Sequence, residues 1–134
     1  MTHNELFLRG VWAKIPDETD TSWVNRLAKL PPSDKPLGDY GALVKKMRDA
    51  GITAKEIARF AKLIGYETAF GIRYHLEDPT ASYEGFPPEA EKLEWQLYLI
   101  DPESGKPQEP LLGLHESLLS MDPSGREMRP KRRA

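Results

Sequence analysis

The chain has 134 residues, which suits one compact domain, and it lacks cysteine, which excludes disulfides, thiolate metal sites and a cysteine nucleophile. Its apolar fraction of 39% can build a core, and no apolar stretch approaches the roughly 20 residues that cross a bilayer. The net charge of −2 combines an acidic body with a basic tail at residues 129–134, which favours a basic protein partner over nucleic acid.

The first helix is predicted from about Glu5 to Lys14, because Thr2 and Glu5 have the spacing of a capping box. An apolar stripe follows at helical spacing and consists of Leu8, Val11, Trp12 and Ile15. The second helix begins near Asp20 or Ser22, either of which can cap it, and Pro31 ends it. Its apolar face comprises Trp23, Val24, Leu27 and Leu30.

The third and fourth helices follow a proline-rich loop. The third is predicted from about Asp39 to Ala50, with a stripe of Tyr40, Leu43, Val44 and Met47. Thr53 and Glu56 form a second capping box, and Ile52 and Ile57 occupy the positions of a hydrophobic staple. The fourth helix therefore starts near Thr53 and buries a stripe that includes Ile57, Phe60, Ala61 and Ile64. It either continues to Glu77 or breaks near Gly65.

The C-terminal third does not follow a helical pattern until its end. Trp95–Ile100 alternates like a strand, residues 101–105 form a turn, and residues 108–112 are a weaker return strand. A short last helix is expected from Leu114 to Met121. The run Gly113–Pro130 is either a surface that meets a partner or a buried network that locks the chain end onto the helices.

These elements predict a mainly α fold: a compact bundle of four to five helices with a small C-terminal β-hairpin or extended segment. We expect one helical domain at residues 1–128 and a basic tail at residues 129–134. The first residues lack the basic and apolar regions of a secretory signal, so the expected location is the cytoplasm, in a protein of bacterial type.

One segment resembles a helix-turn-helix. Residues 50–58 are typical of how such a motif opens, and Gly65–Thr68 is the candidate turn before a second helix at Glu67–Leu76. That helix offers only Arg73 and His75 to DNA, and the first helix is long for the motif. A DNA-binding protein with the motif at Ala50–Leu76 is therefore the alternative hypothesis.

Catalytic and metal-binding signatures are missing from the sequence. His115 and Glu116 match half of a metalloprotease motif, but its second histidine would fall at Leu119. No serine lies in a nucleophile elbow, and no glycine-rich phosphate loop occurs. We therefore predict no catalytic residue, metal site or cofactor, and an enzyme that uses His75 or His115 with a carboxylate is a further alternative.

The candidate binding residues are aromatic side chains at four-residue spacing and their polar neighbours. They are Tyr66, Phe70, Arg73, Tyr74, His75, His115 and Glu116. Aromatic residues at this spacing build a core more often than a binding surface. The sequence as a whole predicts a small non-enzymatic protein-interaction domain, similar to an immunity protein, inhibitor or adaptor, with an acidic body that suits a basic partner.

Overall fold

The computed structural model of the chain describes residues 1–78, 88–92 and 94–131. This part of the chain contains five α-helices: α1 His3–Trp12, α2 Ser22–Ala28, α3 Tyr40–Asp49, α4 Ala54–Glu77 and α5 Leu114–Leu118. Two 3₁₀ helices span Pro88–Lys92 and Leu119–Met121. Strands β1 Tyr98–Ile100 and β2 Pro107–Pro110 pair as an antiparallel hairpin. The prediction of a mainly α fold with a small C-terminal hairpin is confirmed.

Internal contacts divide the chain into two compact units, one of residues 15–66 and one of residues 1–14 with 67–134. The helix α4 is continuous from Ala54 to Glu77, so the boundary between the units falls within a helix and not within a linker. The expected single domain at residues 1–128 stays a prediction. The last three residues of the expected basic tail, 132–134, lie outside the described residues.

The core of the unit at residues 15–66 forms around α2, α3 and the start of α4. It consists of Val24, Val44, Ile57 and Ala58. Gly41 brings α3 against the end of α2 so closely that a Cβ atom there would lie 2.4 Å from the carbonyl oxygen of Leu27. The contact face of α3 is therefore centred on Gly41 and Val44, and the predicted stripe is wrong at Tyr40 and Leu43, which are exposed.

The start of α4 follows the prediction. The Thr53 hydroxyl accepts a hydrogen bond from the Glu56 N–H at 3.1 Å, and a Glu56 carboxylate oxygen accepts one from the Thr53 N–H at 2.9 Å. The predicted stripe is wrong further along, because Phe60 is 64% exposed and Ile64 is also exposed. The side of α4 that carries Ala58 and Lys62 is buried instead.

Lys62 is a buried charged residue in the unit of residues 15–66, with an exposure of 5%. It has a carboxylate partner. Its Nζ lies 3.4 Å from Glu18, whose other carboxylate oxygen lies 3.4 Å from Arg59. The side chain of Glu18 is only 10% exposed, so the loop before α2 supplies a buried counter-charge for α4.

The core of the other unit joins α1 to the C-terminal segment. Among the described residues, its buried apolar side chains include Leu8, Trp12, Leu111, Leu114 and Leu118. The Trp12 indole N–H donates a 3.0 Å hydrogen bond to the carbonyl oxygen of Leu118, and both Thr2 and Glu5 make the predicted capping box of α1. The helix begins at His3, two residues earlier than predicted, because capping by Thr2 places its first turn directly after that residue.

The run Gly113–Pro130 contains a buried polar network. Asp122 is 4% exposed, and its carboxylate accepts hydrogen bonds from the Ser124 N–H, the Ser124 hydroxyl and the Met128 N–H at 3.0, 2.8 and 2.8 Å. These bonds hold a turn in which Glu127 and Met128 both have positive φ, a conformation that costs energy for residues other than glycine. The network favours the structural lock over a free surface for this part of the run.

Candidate functional site

One face of the C-terminal part of α4 collects four side chains with different chemistry. Phe70, Arg73, Tyr74 and Glu77 are spaced i, i+3, i+4 and i+7, which places them within roughly a 100° arc of the helix. We call these four residues, together with His115 of α5 and Phe7 of α1, the α4 site. All six belong to the unit of residues 1–14 and 67–134.

Glu77 connects α4 to the beginning of α5. The residue before α5, Gly113, has φ of 67° and no side chain to cap the helix. Glu77 supplies the missing acceptor, because its Oε1 receives hydrogen bonds from the N–H groups of Leu114 at 2.6 Å and His115 at 3.3 Å. Its Oε2 bonds Nδ1 of His115. Both carboxylate oxygens therefore bond to α5, and the negative charge suits the N-terminus of this helix.

The imidazole of His115 lies against two aromatic rings of α4. Its centroid is 5.0 Å from that of Tyr74 and 5.9 Å from that of Phe70, and both contacts are edge-on. The two α4 rings are themselves stacked at 6.2 Å. Because Glu77 holds Nδ1, the imidazole has a fixed orientation, which is the arrangement of a histidine positioned by a carboxylate. The hypothesis of an enzyme that uses His115 stays a prediction.

Arg73 lies at the other side of this face and is partly buried. Its guanidinium carbon is 4.6 Å from the centroid of the Phe7 ring, which is a cation–π distance. Burial lowers the pKa of the Arg73 guanidinium, and the nearby charge of Glu77 opposes that shift. The group therefore keeps its charge in a partly desolvated position.

The structure brings together four of the seven predicted binding residues: Phe70, Arg73, Tyr74 and His115. His75 lies elsewhere, with its ring 4.9 Å from that of Trp95, whose indole N–H donates to the His75 carbonyl oxygen. Glu116 has a 76% exposed side chain, and its carboxylate is 3.9 Å from Nε2 of His115, too far for a hydrogen bond. Tyr66 belongs to the unit of residues 15–66, and burial raises the pKa of its hydroxyl.

The sequence analysis did not predict two members of the α4 site, Glu77 and Phe7. Glu77 has the right helical spacing from Phe70 and Arg73, and that spacing could have indicated it. Phe7 lies on α1, and nothing local to its own helix connects it with Arg73. Within the residues that the structure describes, no group of three or more histidine, aspartate or glutamate side chains could hold a metal ion.

A second candidate surface lies on the hairpin. Tyr98 and Ile100 lie on the same face of β1, because side chains alternate along a strand. Tyr98 is paired with Pro110 and, after a register shift between Leu99 and Ile100, Ile100 is paired with Pro107. We call these four residues the hairpin face. Tyr98 is 42% and Ile100 54% exposed, and every residue of β2 is exposed, whereas Leu99 between them is partly buried. The hairpin therefore turns an apolar face to solvent.

No protein-family model matches the chain, and no curated protein or solved structure matches it either. The fold and the two candidate surfaces are thus the basis for any functional proposal. Among the described helices, none has both the length and the apolar character that crossing a membrane requires.

Proposed function

We propose that this chain is a protein-interaction domain and that the hairpin face binds a basic segment of a partner protein. The observation that carries the proposal is the exposure of Ile100 and Tyr98 on one face of a two-stranded sheet. Large apolar side chains that share a solvent-facing surface are typical of binding sites, because each loses contact with water when a partner covers it. Tyrosine is also among the residues enriched in interfaces.

The charge of the surrounding segment selects the partner. Residues 94–116 contain five acidic residues and a single basic one, Lys106. More broadly, the unit of residues 1–14 and 67–134 has fourteen acidic and ten basic residues, whereas residues 15–66 have seven acidic and nine basic. The acidic character that was expected for the whole body thus belongs to the unit that carries the hairpin. An acidic rim accelerates association with a basic partner and disfavours acidic ones.

The proposal can be tested with two synthetic peptides of equal length and equal apolar content, one rich in lysine and one rich in glutamate. Fluorescence anisotropy measures their affinity for the full chain. We expect the lysine-rich peptide to bind at least about tenfold more tightly, and Ile100→Ser to weaken that binding by about tenfold, as loss of one central apolar anchor does.

Phe60→Ser is the matched control, because Phe60 is 64% exposed, somewhat more than Ile100 at 54%, but lies on α4 in the unit of residues 15–66. This variant should bind the lysine-rich peptide like wild type. Equal affinity of wild type and Ile100→Ser for the lysine-rich peptide would contradict the proposal, and so would the absence of any preference between the two peptides.

A second candidate function, DNA binding, rests on the connection between α3 and α4. The predicted turn at Gly65–Thr68 is absent, since α4 passes through it without a break. Residues 50–53 instead join two helices in four residues, with Gly51 at φ of 91°, which is the connection length of a helix-turn-helix. Lys45, Lys46, Arg48 and Lys55 are exposed around this turn.

Binding to a duplex of about 25 base pairs at ~50 and ~200 mM salt tests this alternative. If DNA is the partner, affinity falls steeply between the two salt concentrations, and Lys55→Gln weakens binding at both. No binding at the lower concentration would dismiss it. The peptide and DNA experiments use different surfaces, so their outcomes separate the two functions.

A further inference from the structure

We propose that Arg73 is an oxyanion-binding residue, and that the α4 site takes a carboxylate or phosphate group of a ligand. The site is separate from the hairpin face, so the inference does not depend on the proposed function. It begins from the position of the guanidinium, which lies over the ring of Phe7 and has its Nη1 atom shielded from solvent. Phe7 thus provides a cation–π contact to the guanidinium and an apolar surface that lowers the local dielectric constant.

Within the described part of the chain, no acceptor lies within hydrogen-bond distance of Nη1 of Arg73. An arginine carries five N–H donors and cannot lose its proton in a protein, so a buried guanidinium normally has a carboxylate or carbonyl partner. A buried donor that stays unpaired destabilises the folded state, because it has lost its hydrogen bonds to water. The fold therefore keeps a charge in a position that is unfavourable unless an acceptor arrives.

Glu77, the carboxylate whose charge acts on Arg73, does not serve as that acceptor. Glu77 lies one helical turn from Arg73 and feels its charge, yet both of its oxygens are directed to α5. The N–H groups of Leu114 and His115 and the His115 imidazole occupy them. The Glu77 oxygens therefore face α5, and Nη1 of Arg73 has no partner among them, which leaves this donor for an external group.

The chemistry of the guanidinium defines the ligand. Its planar fork matches the two oxygens of a carboxylate or of a phosphate, and two parallel charge-assisted hydrogen bonds form in that geometry. Partial burial strengthens such bonds relative to those of an arginine in open solvent. A lysine would provide only a point charge at the same position, so Arg73→Lys should not restore binding fully.

The test is a titration of the full chain with inorganic phosphate and, separately, with sodium acetate. Sodium chloride is exchanged against each salt so that ionic strength stays constant, and ¹H–¹⁵N NMR follows the Arg73 side chain and the amides of residues 70–78. We expect saturable shifts confined to the α4 site, with a dissociation constant at least about tenfold weaker in Arg73→Met. Tighter binding of phosphate than of acetate would identify a phosphorylated ligand, and the reverse order a carboxylate.

Arg9→Met is the matched control, because it removes the same charge from an exposed position on α1 close to Phe7. It should leave both titrations unchanged. If Arg73→Met fails to fold, Arg73→Lys replaces it, and an intermediate affinity is expected. Shifts that rise linearly without saturation, or that are equal in the Arg73 variants and wild type, would overturn the assignment and leave a structural cation with bound water.

Discussion

Glu77 accepts a 2.6 Å hydrogen bond from the backbone N–H of Leu114, a residue 37 positions further along the chain. The same carboxylate binds His115, so one side chain at the end of α4 both caps α5 and orients the histidine. The N-cap residue Gly113 makes no side-chain cap of its own. Glu77 is therefore the side chain that links the end of α4 to the first turn of α5 by hydrogen bonds, and a substitution of Glu77 tests this link.

Glu77→Ala should lower the free energy of unfolding by about 1–3 kcal/mol, because it removes a helix cap and leaves the partly buried His115 without its acceptor. Urea denaturation measures this loss, and amide hydrogen exchange of residues 114–118 should accelerate in the same variant. The control is Glu116→Ala, whose side chain is 76% exposed and should change stability by less than about 0.5 kcal/mol. Equal effects of the two substitutions would contradict the role of Glu77.

Gly41→Ala should destabilise the chain, because the new Cβ would lie 2.4 Å from the carbonyl oxygen of Leu27 and force α3 away from α2. Overpacking of this kind costs about 1–3 kcal/mol. Gly10→Ala is the contrasting substitution in α1, where a Cβ meets nothing within 4 Å, and it should stabilise by about 0.5–1 kcal/mol. Thermal and urea denaturation measure whether each variant is less or more stable than wild type. A Gly41→Ala variant as stable as wild type would contradict the close approach of α3 to α2.

The buried pair of Lys62 and Glu18 should respond asymmetrically to substitution. Glu18→Gln leaves Lys62 buried without that carboxylate, which should cost on the order of 3 kcal/mol. Lys62→Met removes the buried charge and fills its space, while Glu18 keeps Arg59, so stability should stay within about 1 kcal/mol of wild type. Equilibrium unfolding at neutral pH measures the stability of both variants. A larger loss of stability in Lys62→Met than in Glu18→Gln would contradict this interpretation of the pair.

The hairpin turn should have a pH dependence that comes from Asp101. Hydrogen bonds from the Glu103 N–H and the Ser104 hydroxyl hold the pKa of the Asp101 carboxyl below its ordinary value. A depressed pKa in the folded state means that the contribution is present above the unfolded pKa and is lost as pH falls through the folded one. An NMR titration of the Asp101 carboxyl carbon should therefore show a midpoint below that of a free aspartate.

Asp101→Asn is the check on this assignment. The amide shifts of residues 103 and 104 should lose the component of their titration that has the lowered midpoint, while those around Asp20, whose pKa is also lowered by hydrogen bonds from Ser22, keep theirs. Persistence of the titration at residues 103 and 104 would assign it to another group.

The sequence predicted those features that depend on neighbours along the chain. Both capping boxes, at Thr2 and Thr53, formed as predicted, because the cap and its partner are three residues apart. Periodicity also located the helices, but it could not tell which apolar side chains a neighbour would cover. Leu43 and Tyr40 fit a buried stripe and are exposed, because the contact of α3 with α2 passes through Gly41, a residue that hydrophobicity does not indicate. Phe60 of α4 also fits a buried stripe and is exposed.

At the α4 site too, the sequence predicted local features but not contacts between distant residues. Phe70, Arg73, Tyr74 and His115 were singled out from residue type, and they do lie together. Their arrangement depends on Glu77 and Phe7, and the contacts of His115 with Glu77 connect residues 38 positions apart. A local sequence pattern does not extend over so many residues. The sequence therefore indicated some of the residues of the site but not how they are arranged.

The unit that contains α1 is discontinuous in the chain, and this has a consequence for its biogenesis. Trp12 donates its indole hydrogen bond to Leu118, 106 residues later, and Asn4 bonds the carbonyl oxygen of Leu112. During synthesis, α1 emerges from the ribosome well before Leu118, which lies 106 residues further along the chain than Trp12. Residues 15–66 have a core of their own at Val24, Val44, Ile57 and Ala58. We expect the nascent chain to expose Leu8 and Trp12 until the segment of residues 111–118 has been translated.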